Sequence, residues 1–513
     1  MAETLIHEDL KQLELHTVTA STPPRKYVYQ LVTPGSFEVE RHFYPRVLNS
    51  QIHPTVRYFL GLSRERIVSR YCHTHPFVDA NTLDEVLSCN PRYLRWAGCD
   101  LMHTTNNNNK KSMVIIETNT CPSGNKSTPL YEEMEEEGGY RVLLQRSFLP
   151  YLKRNDADIP EGELAVVYDK NPMEASGYAS ALAGLTGECV HLVPFMENAK
   201  EETVRFERGV MYVKIPTGKW VPIRGALRYV TQRPWNRIPV NTRTIIMNPI
   251  IACLAGGRNK LVAAKAYDNY NVELMASGLE IRTPLTIRDV EFEQLETWVD
   301  KLGGFAAIKI PYSNAGQGVY TITSKAEFLR LRDELKQVKY QNFIVQSLIS
   351  NHEWSSVYEG TRLFHMGTIP DKRGNIHVFD LRMMVSGSED GFKVVGLYAR
   401  RAKKPLSKQV EEGTESWDML GTNLSIKMED GTFGSEPERL LLMDRRDFNS
   451  LGLGLDDLID AYVQTVLAVV AIDRMAQFLM PNGVFNKHLL TSVDNDECLL
   501  SEILYDYEQN HSE

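Results

Sequence analysis

The chain has 513 residues, 42% of them hydrophobic, enough to bury more than one core, so two or three domains are expected. Charged residues make up 24% and the formal net charge is −9, so the chain lacks the basic balance of a protein that grips nucleic acid through phosphates. No apolar run approaches the roughly 20 residues needed to span a bilayer, which argues against a membrane protein.

Residues 1–155 read as mixed helix and strand. The segment 113–117 is a short β-branched strand, preceded by an exposed asparagine loop at 106–109 that joins two strands. The acidic run 132–137 reads as a helix stopped by Gly138-Gly139. A boundary is placed at 155–160. Beyond it, apolar runs at 164–168 and 190–193 flank a helical stretch at 178–185. That order is a βαβ unit with parallel strands, and it makes 156–250 a small α/β domain. Region 251–513 carries strands at 305–309, 343–345 and 378–381, then a long apolar helix over 455–479 that stops before Pro481-Asn482-Gly483. The seven cysteines are scattered and never form a CxxC pair, which argues against a disulfide framework and a structural zinc site and fits a reducing compartment. The first residues show no basic stretch ahead of an apolar one, so a cytoplasmic location is expected.

The most informative stretch is 305–319. An apolar strand delivers Lys309 and then turns through Ser313, Asn314, Gly316, Gln317 and Gly318 into a second strand. Glycines let backbone N–H groups converge on an anion, and the lysine adds a point charge to the same phosphates. A glycine-bearing hairpin with an incidental lysine would read the same way. Neither a GxxxxGK[ST] loop nor a GxGxxG turn is present. Around this segment lie Arg258-Asn259-Lys260 at a helix start, Gln346 and Ile349 in a following strand, and Glu353 beyond it. Asp380-Leu381-Arg382, Arg400-Arg401 and Asn423 come later.

In this order the motifs resemble the ATP-grasp superfamily over roughly residues 248–425. The resemblance implies that Lys260 and Lys309 flank a nucleotide, that loop 313–318 covers its phosphates, and that Gln346 and Ile349 line the adenine, with Glu353 near the ribose. It places Arg382 and Arg400 where phosphoryl transfer occurs, binding a carboxylate and then its acyl phosphate, with Arg401 and Asn423 beside the substrate. Ordinary members place a metal-binding Glu-x-Asn strand after these motifs, and here none follows. Glu117-Thr118-Asn119 lies upstream instead, with Asp100 before it and Pro122-Ser123-Gly124 after. That arrangement, with Leu254-Ala255-Gly256, resembles the circularly permuted branch containing eukaryotic glutathione synthetases and glutathionylspermidine synthetases. One departure is Ser313, where those enzymes carry a metal-binding glutamate four residues after the lysine.

Glu117 and Asn119 have a physical case of their own. Positions i and i+2 of a strand share a face, and magnesium takes one or two carboxylates with phosphates and water. Asp100 and Asp380 are candidate further ligands. A strand end with a capping asparagine fits the same letters. The sum of these readings is an α+β and α/β ATP-grasp fold with a smaller α/β substrate domain. The expected activity is an ATP- and Mg2+-dependent carboxylate–amine ligase that forms an acyl phosphate and releases ADP. Its partners are a small-molecule carboxylate, such as an amino acid or peptide, and an amine. Ser123, Arg224 and Arg228 are candidate substrate contacts, although a core Arg–Glu pair would look alike. A small-molecule kinase and a non-catalytic ATP-binding regulator are the alternatives, and a homodimer is left open.

Overall fold

The computed structural model describes residues 27–131, 135–153, 159–197, 199–313, 318–410, 415–427 and 433–509. Part of the acidic run and of the expected boundary, and Asn314, Gly316 and Gln317 of the glycine loop, lie outside the described residues. The class is mixed α+β, built on three main sheets.

The central sheet is antiparallel. Its strands run in the order Leu363–His365, Trp96–Asn106, Phe379–Ser388, Gly391–Arg401 and Leu440–Leu441, and Lys111–Thr120 also pairs with Trp96–Asn106. The asparagine loop is the turn between Trp96–Asn106 and Lys111–Thr120, as its composition predicts. Helix Leu455–Leu479 is apolar around most of its circumference, and such a helix must be buried on nearly all sides. Two of its buried aspartates accept from backbone N–H groups. Asp473 accepts from the N–H groups of Arg92, Tyr93 and Leu94 at 3.0, 2.6 and 2.8 Å, so it anchors the entry to the Trp96–Asn106 strand. Asp460 accepts from Met113 N at 2.9 Å and pairs with Arg282.

The second sheet has the predicted parallel core. Glu163–Tyr168 and Val190–Pro194 pair in parallel, joined by helix Pro172–Thr186, and Trp220–Tyr229 and Ile245–Met247 extend the parallel order. Gln30–Val32, Val210–Lys214 and Val204–Glu207 add antiparallel edges. The third sheet is a small antiparallel one in the order Thr286–Val290, Phe343–Ser347, Ala306–Lys309 and Val319–Ile322. Phe328 and Leu331 from helix Lys325–Leu335, and Leu295 and Val299 from helix Leu295–Lys301, cover one face around Ile308 and Val345. That leaves the other face to carry Lys309 toward the central sheet. No helix among the described residues is long and apolar enough to cross a membrane.

Candidate functional site

A cleft of about 1460 Å³ opens where the three sheets meet. Its chemistry follows from register in the central sheet. Asp100 stands opposite Glu117 on one neighbouring strand and opposite Arg382 on the other, and Arg382 stands opposite Tyr398. One step along, Asp380 is opposite Arg400. Directly opposed residues of antiparallel strands share a face, so these side chains form two rows on the cleft side. A bulge makes Ile116 the extra residue, since Asp100 pairs with Glu117 and Leu101 with Ile115. Beyond the bulge the alternation puts Asn119 on the same face as Glu117.

The rows are charged and nearly dry. Asp100 is 3% exposed and accepts from Arg382 Nε at 2.6 Å and Nη2 at 2.7 Å, while Arg400 Nη2 lies 2.9 Å away. Arg400 also forks onto Asp380, with Nε donating to Oδ1 at 3.0 Å. Burial pushes the Asp100 carboxyl up, but the two guanidiniums outweigh it and hold it at about 2. At Asp380 burial wins over Arg400, and neighbouring Asp100 raises its carboxyl further. Both arginines are held more firmly protonated than usual: burial opposes this, and the facing carboxylates prevail.

Beside these rows sits a lysine pair. Lys260 Nζ is 3.2 Å from Glu117 Oε1 and also donates to Ser313 O. It starts helix Lys260–Leu274, whose N-cap Asn259 accepts from Leu261 N and Val262 N. Lys309 ends its strand and donates to Ile116 O at 3.1 Å. Burial lowers its pKa to about 8; Glu117 opposes that and Lys260 reinforces it. Glu117 itself is held below the usual range, because Lys260 and Lys309 outweigh its burial.

The turn after Asn119 folds back over the sheet where side chains are missing. A Cβ on Gly98 would lie 2.8 Å from Pro122 Cβ, and one on Gly124 2.6 Å from Met384 Cε. Fully buried Glu174 fixes this turn by accepting from Gly124 N and Asn125 N at 2.8 and 2.9 Å, from Tyr229 Oη at 2.9 Å, and by pairing with Lys126 at 3.3 Å.

Of the residues singled out from sequence, Asp100, Glu117, Asn119, Ser123, Lys260 and Lys309 line the cleft. So do Ser313, Gly318, Gln346, Ile349, Asp380, Arg382, Arg400 and Asn423. The remaining four among the described residues are elsewhere. Arg224 forks onto Glu188 and Gly162 O. Arg228 is completely buried and donates to Asn248 O and Val230 O at 2.8 and 2.6 Å, which makes it a core arginine. Glu353 has a side chain 63% exposed, away from the cleft. Arg401 follows Arg400 on the strand and so turns to the opposite face.

Asp100 and Asp380 are spent on guanidiniums, which makes Glu117, 26% exposed, the carboxylate of the metal candidates that stays open to the cleft. No group of three or more His, Cys, Asp or Glu among the described residues is placed to hold a metal ion. Glu117 and the Asn119 amide oxygen, which Arg258 approaches at 3.4 Å, are hard oxygen donors on one face. They suit an ion that draws its remaining ligands from phosphates and water. Asn119 Nδ2 is buried without a hydrogen-bond partner.

Sequence reading missed Tyr398, which bridges Arg382 Nη1 at 3.2 Å and Ser123 O at 2.9 Å, and Lys170. A signal for Lys170 existed. Asp169-Lys170-Asn171 follows the C-terminal end of a parallel strand, where open α/β sheets place ligands.

No family model matches the chain, and no curated protein matches it. Solved structures similar to it include a glutathione synthetase-like effector from Globodera pallida, at 8% identity and TM-score 0.37, over 69% of this chain and 86% of that one. A RimK domain ATP-grasp protein from Sphaerobacter thermophilus is similar at 13% identity and TM-score 0.28, over 46% of this chain and 90% of that one. D-alanyl-alanine synthetase A from Vibrio cholerae is similar at 8% identity and TM-score 0.28, over 60% of this chain and 99% of that one. Likenesses at this level carry no residue role or substrate over to this chain.

Proposed function

We propose that the chain is an ATP-dependent carboxylate–amine ligase of the ATP-grasp type, permuted in order, which forms an amide through an acyl phosphate and releases ADP and phosphate. One observation carries the reading. Glu117, beside the two lysines, and Asp100, beside the two arginines, are directly opposed on neighbouring strands. Side chains so placed start about 5 Å apart. A phosphate held by Lys260 and Lys309 and a carboxylate held by Arg382 and Arg400 would therefore adjoin, as direct phosphoryl transfer between them demands.

The side chains need no covalent role. Lys260 and Lys309 neutralise charge as it spreads over the phosphoryl oxygens. Arg382 and Arg400 present planar donors that match a carboxylate and then the acyl phosphate. Gln346 and Ile349, at the edge where the small sheet meets the cleft, are the proposed adenine contacts, and Ser123 and Asn423 the proposed substrate contacts. Magnesium, where bound, supplies further charge neutralisation at the phosphates, and Glu117 and Asn119 are the residues that would hold it. A small-molecule carboxylate and an amine are the proposed partners, and the cytoplasm the proposed location.

The test is product analysis across pairs of amino acids and polyamines. A ligase releases ADP in step with a new amide, and oxygen label in the carboxylate passes to the released phosphate. ADP formed with a hydroxyl acceptor and no amine, with label retained in the product, would mean a kinase instead.

A further inference from the structure

We propose that Lys170 is the base that takes the proton from the amine as it attacks the activated carboxylate; the assignment rests on the ligase reading above. Lys170 lines the same cleft as Arg382 and Arg400, just past the parallel strand Glu163–Tyr168. Its Nζ donates to Cys121 O at 3.5 Å and sits 5.0 Å from the centre of the Tyr229 ring. Tyr229 in turn meets Ser123 Oγ at 2.6 Å, and Ser123 O accepts from Tyr398, which accepts from Arg382. Lys170 thus touches the 121–123 turn at Cys121 O, and Arg382 reaches the same turn through Tyr398 at Ser123 O. The space beside that turn is where an acyl group held by Arg382 would face a nucleophile.

Lys170 differs from the other lysines of the cleft, Lys309 excepted, in its partners. Lys260 pairs with Glu117, Lys126 with Glu174 and Lys339 with Glu502. Among the described residues Lys170 has no carboxylate at ion-pair distance. The charges facing it are all engaged. Asp169 accepts from Thr231 N and Gln232 N and pairs with Arg237 at 3.1 Å. Glu174 serves the turn, and Arg258 donates to Thr120 O at 3.1 Å. Burial first, and then Arg258, lower the Lys170 pKa to about 7, with Asp169, Cys121 and Glu174 opposing. A substantial neutral fraction therefore exists at neutral pH, as a base requires.

The step balances. The amine lone pair forms the new N–C bond, and the C–O bond to phosphate breaks with its electron pair leaving on phosphate. The amine arrives as an ammonium ion; neutral Lys170 Nζ takes the proton that frees this lone pair and then releases it to solvent, while the second proton leaves the attacking nitrogen with the departing phosphate.

The experiment separates this step from activation. Full-length protein with ATP and magnesium receives a mixture of amino acids and spermidine as carboxylates and amines, with and without hydroxylamine. Hydroxylamine is already uncharged at neutral pH, so it traps an acyl phosphate without help from a base. Lys170→Met and Lys170→Arg should each lose about 100-fold in amide formation at pH 7, the low end of a general-base contribution. Hydroxamate formation should fall no more than about threefold, and the amide deficit of Lys170→Met should narrow toward pH 9 as free amine accumulates. Lys170→Arg keeps the charge but cannot release a proton. Its failure therefore separates a base from a simple cation, and ATP-dependent heat protection confirms that each variant is folded. Wild-type amide rates at pH 7 in either variant, or joint loss of amide and hydroxamate in a heat-protected variant, overturn the assignment. A wild-type protein that yields no hydroxamate at all sinks the ligase reading itself.

Discussion

Asp100→Asn is the perturbation whose size the structure sets best. The side chain keeps its shape and loses its charge inside a cluster of two carboxylates and two guanidiniums, so the cluster passes from neutral to one net positive charge. A carboxyl held at about 2 instead of 3.8 favours its ionised form by about 2 kcal/mol. Because the folded pKa lies below the ordinary one, that stabilisation is fully present above about pH 4 and is lost as pH falls through about 2. At pH 7 the variant loses all of it and also leaves Arg382 and Arg400 short of a partner. Breaking a buried pair from one side costs about 3–5 kcal/mol, so a loss between about 2 and 5 kcal/mol is expected. Urea unfolding at pH 7, followed through the main cooperative transition, measures it. Adding Arg382→Met to Asp100→Asn removes one uncompensated guanidinium and should restore part of the loss, so the two changes are not additive. A cost below about 1 kcal/mol in a folded variant, or strict additivity, would refute the view that this carboxylate is what keeps the arginines in the cleft.

ATP with magnesium should protect the protein from heat, and ligand at one hundred times its dissociation constant is worth about 2.7 kcal/mol. The absence of any melting shift at millimolar ATP and magnesium removes the nucleotide assignment. Lys309→Met should fold and lose roughly 30-fold or more in kcat/KM, about 2 kcal/mol of transition-state stabilisation, measured as ADP release; full activity refutes the role. Glu117→Gln should raise the magnesium concentration needed for half-maximal turnover while leaving nucleotide binding measurable without metal, and an unchanged magnesium titration argues against its ligand role.

The local parts of this fold were readable because local rules govern them. Short apolar runs around a helical stretch announced the Glu163–Tyr168 and Val190–Pro194 pair, and the asparagine loop announced its hairpin. Of the cleft residues, Lys260, Lys309 and Arg382 were found because the order of their motifs resembles ATP-grasp proteins, and Glu117 also because it shares a strand face with Asn119. What could not be read was partnership. Trp96–Asn106 pairs with Phe379–Ser388 across more than two hundred and fifty residues, and nothing in either stretch names the other. Asp100 and Asp380 were candidate metal ligands because magnesium takes hard carboxylate oxygens and the motifs set these two beside Glu117 and Asn119. The pairing with arginine is visible only once the register is known. Arg228 shows the converse: its guanidinium satisfies backbone carbonyls in the core, which a sequence cannot distinguish from a cleft cation.

The pairings also explain how a cleft can keep this much charge without a ligand. Lys260 leans on Glu117, Arg382 on Asp100, Arg400 on both aspartates, and Lys126 on Glu174, so nearly every cation is already compensated. An isolated buried charge costs far more than a paired one, and these internal pairs are how a folded cleft holds several cations. On the proposed reading, incoming phosphates compete with Glu117 for the two lysines, and the carboxylate they displace is the one free to take a metal ion. The arginine rows answer differently, because Asp100 and Asp380 are too deeply buried to let go and the guanidiniums can only share their outward N–H groups with a substrate. Lys170 stands outside this scheme as a cation with no carboxylate at ion-pair distance among the described residues, and its pKa near 7 means that it need not stay charged. A cleft organised in this way separates the paired groups that hold charge from two lysines without an ion pair among the described residues, Lys170 and Lys309, whose pKa values are lowered toward neutrality.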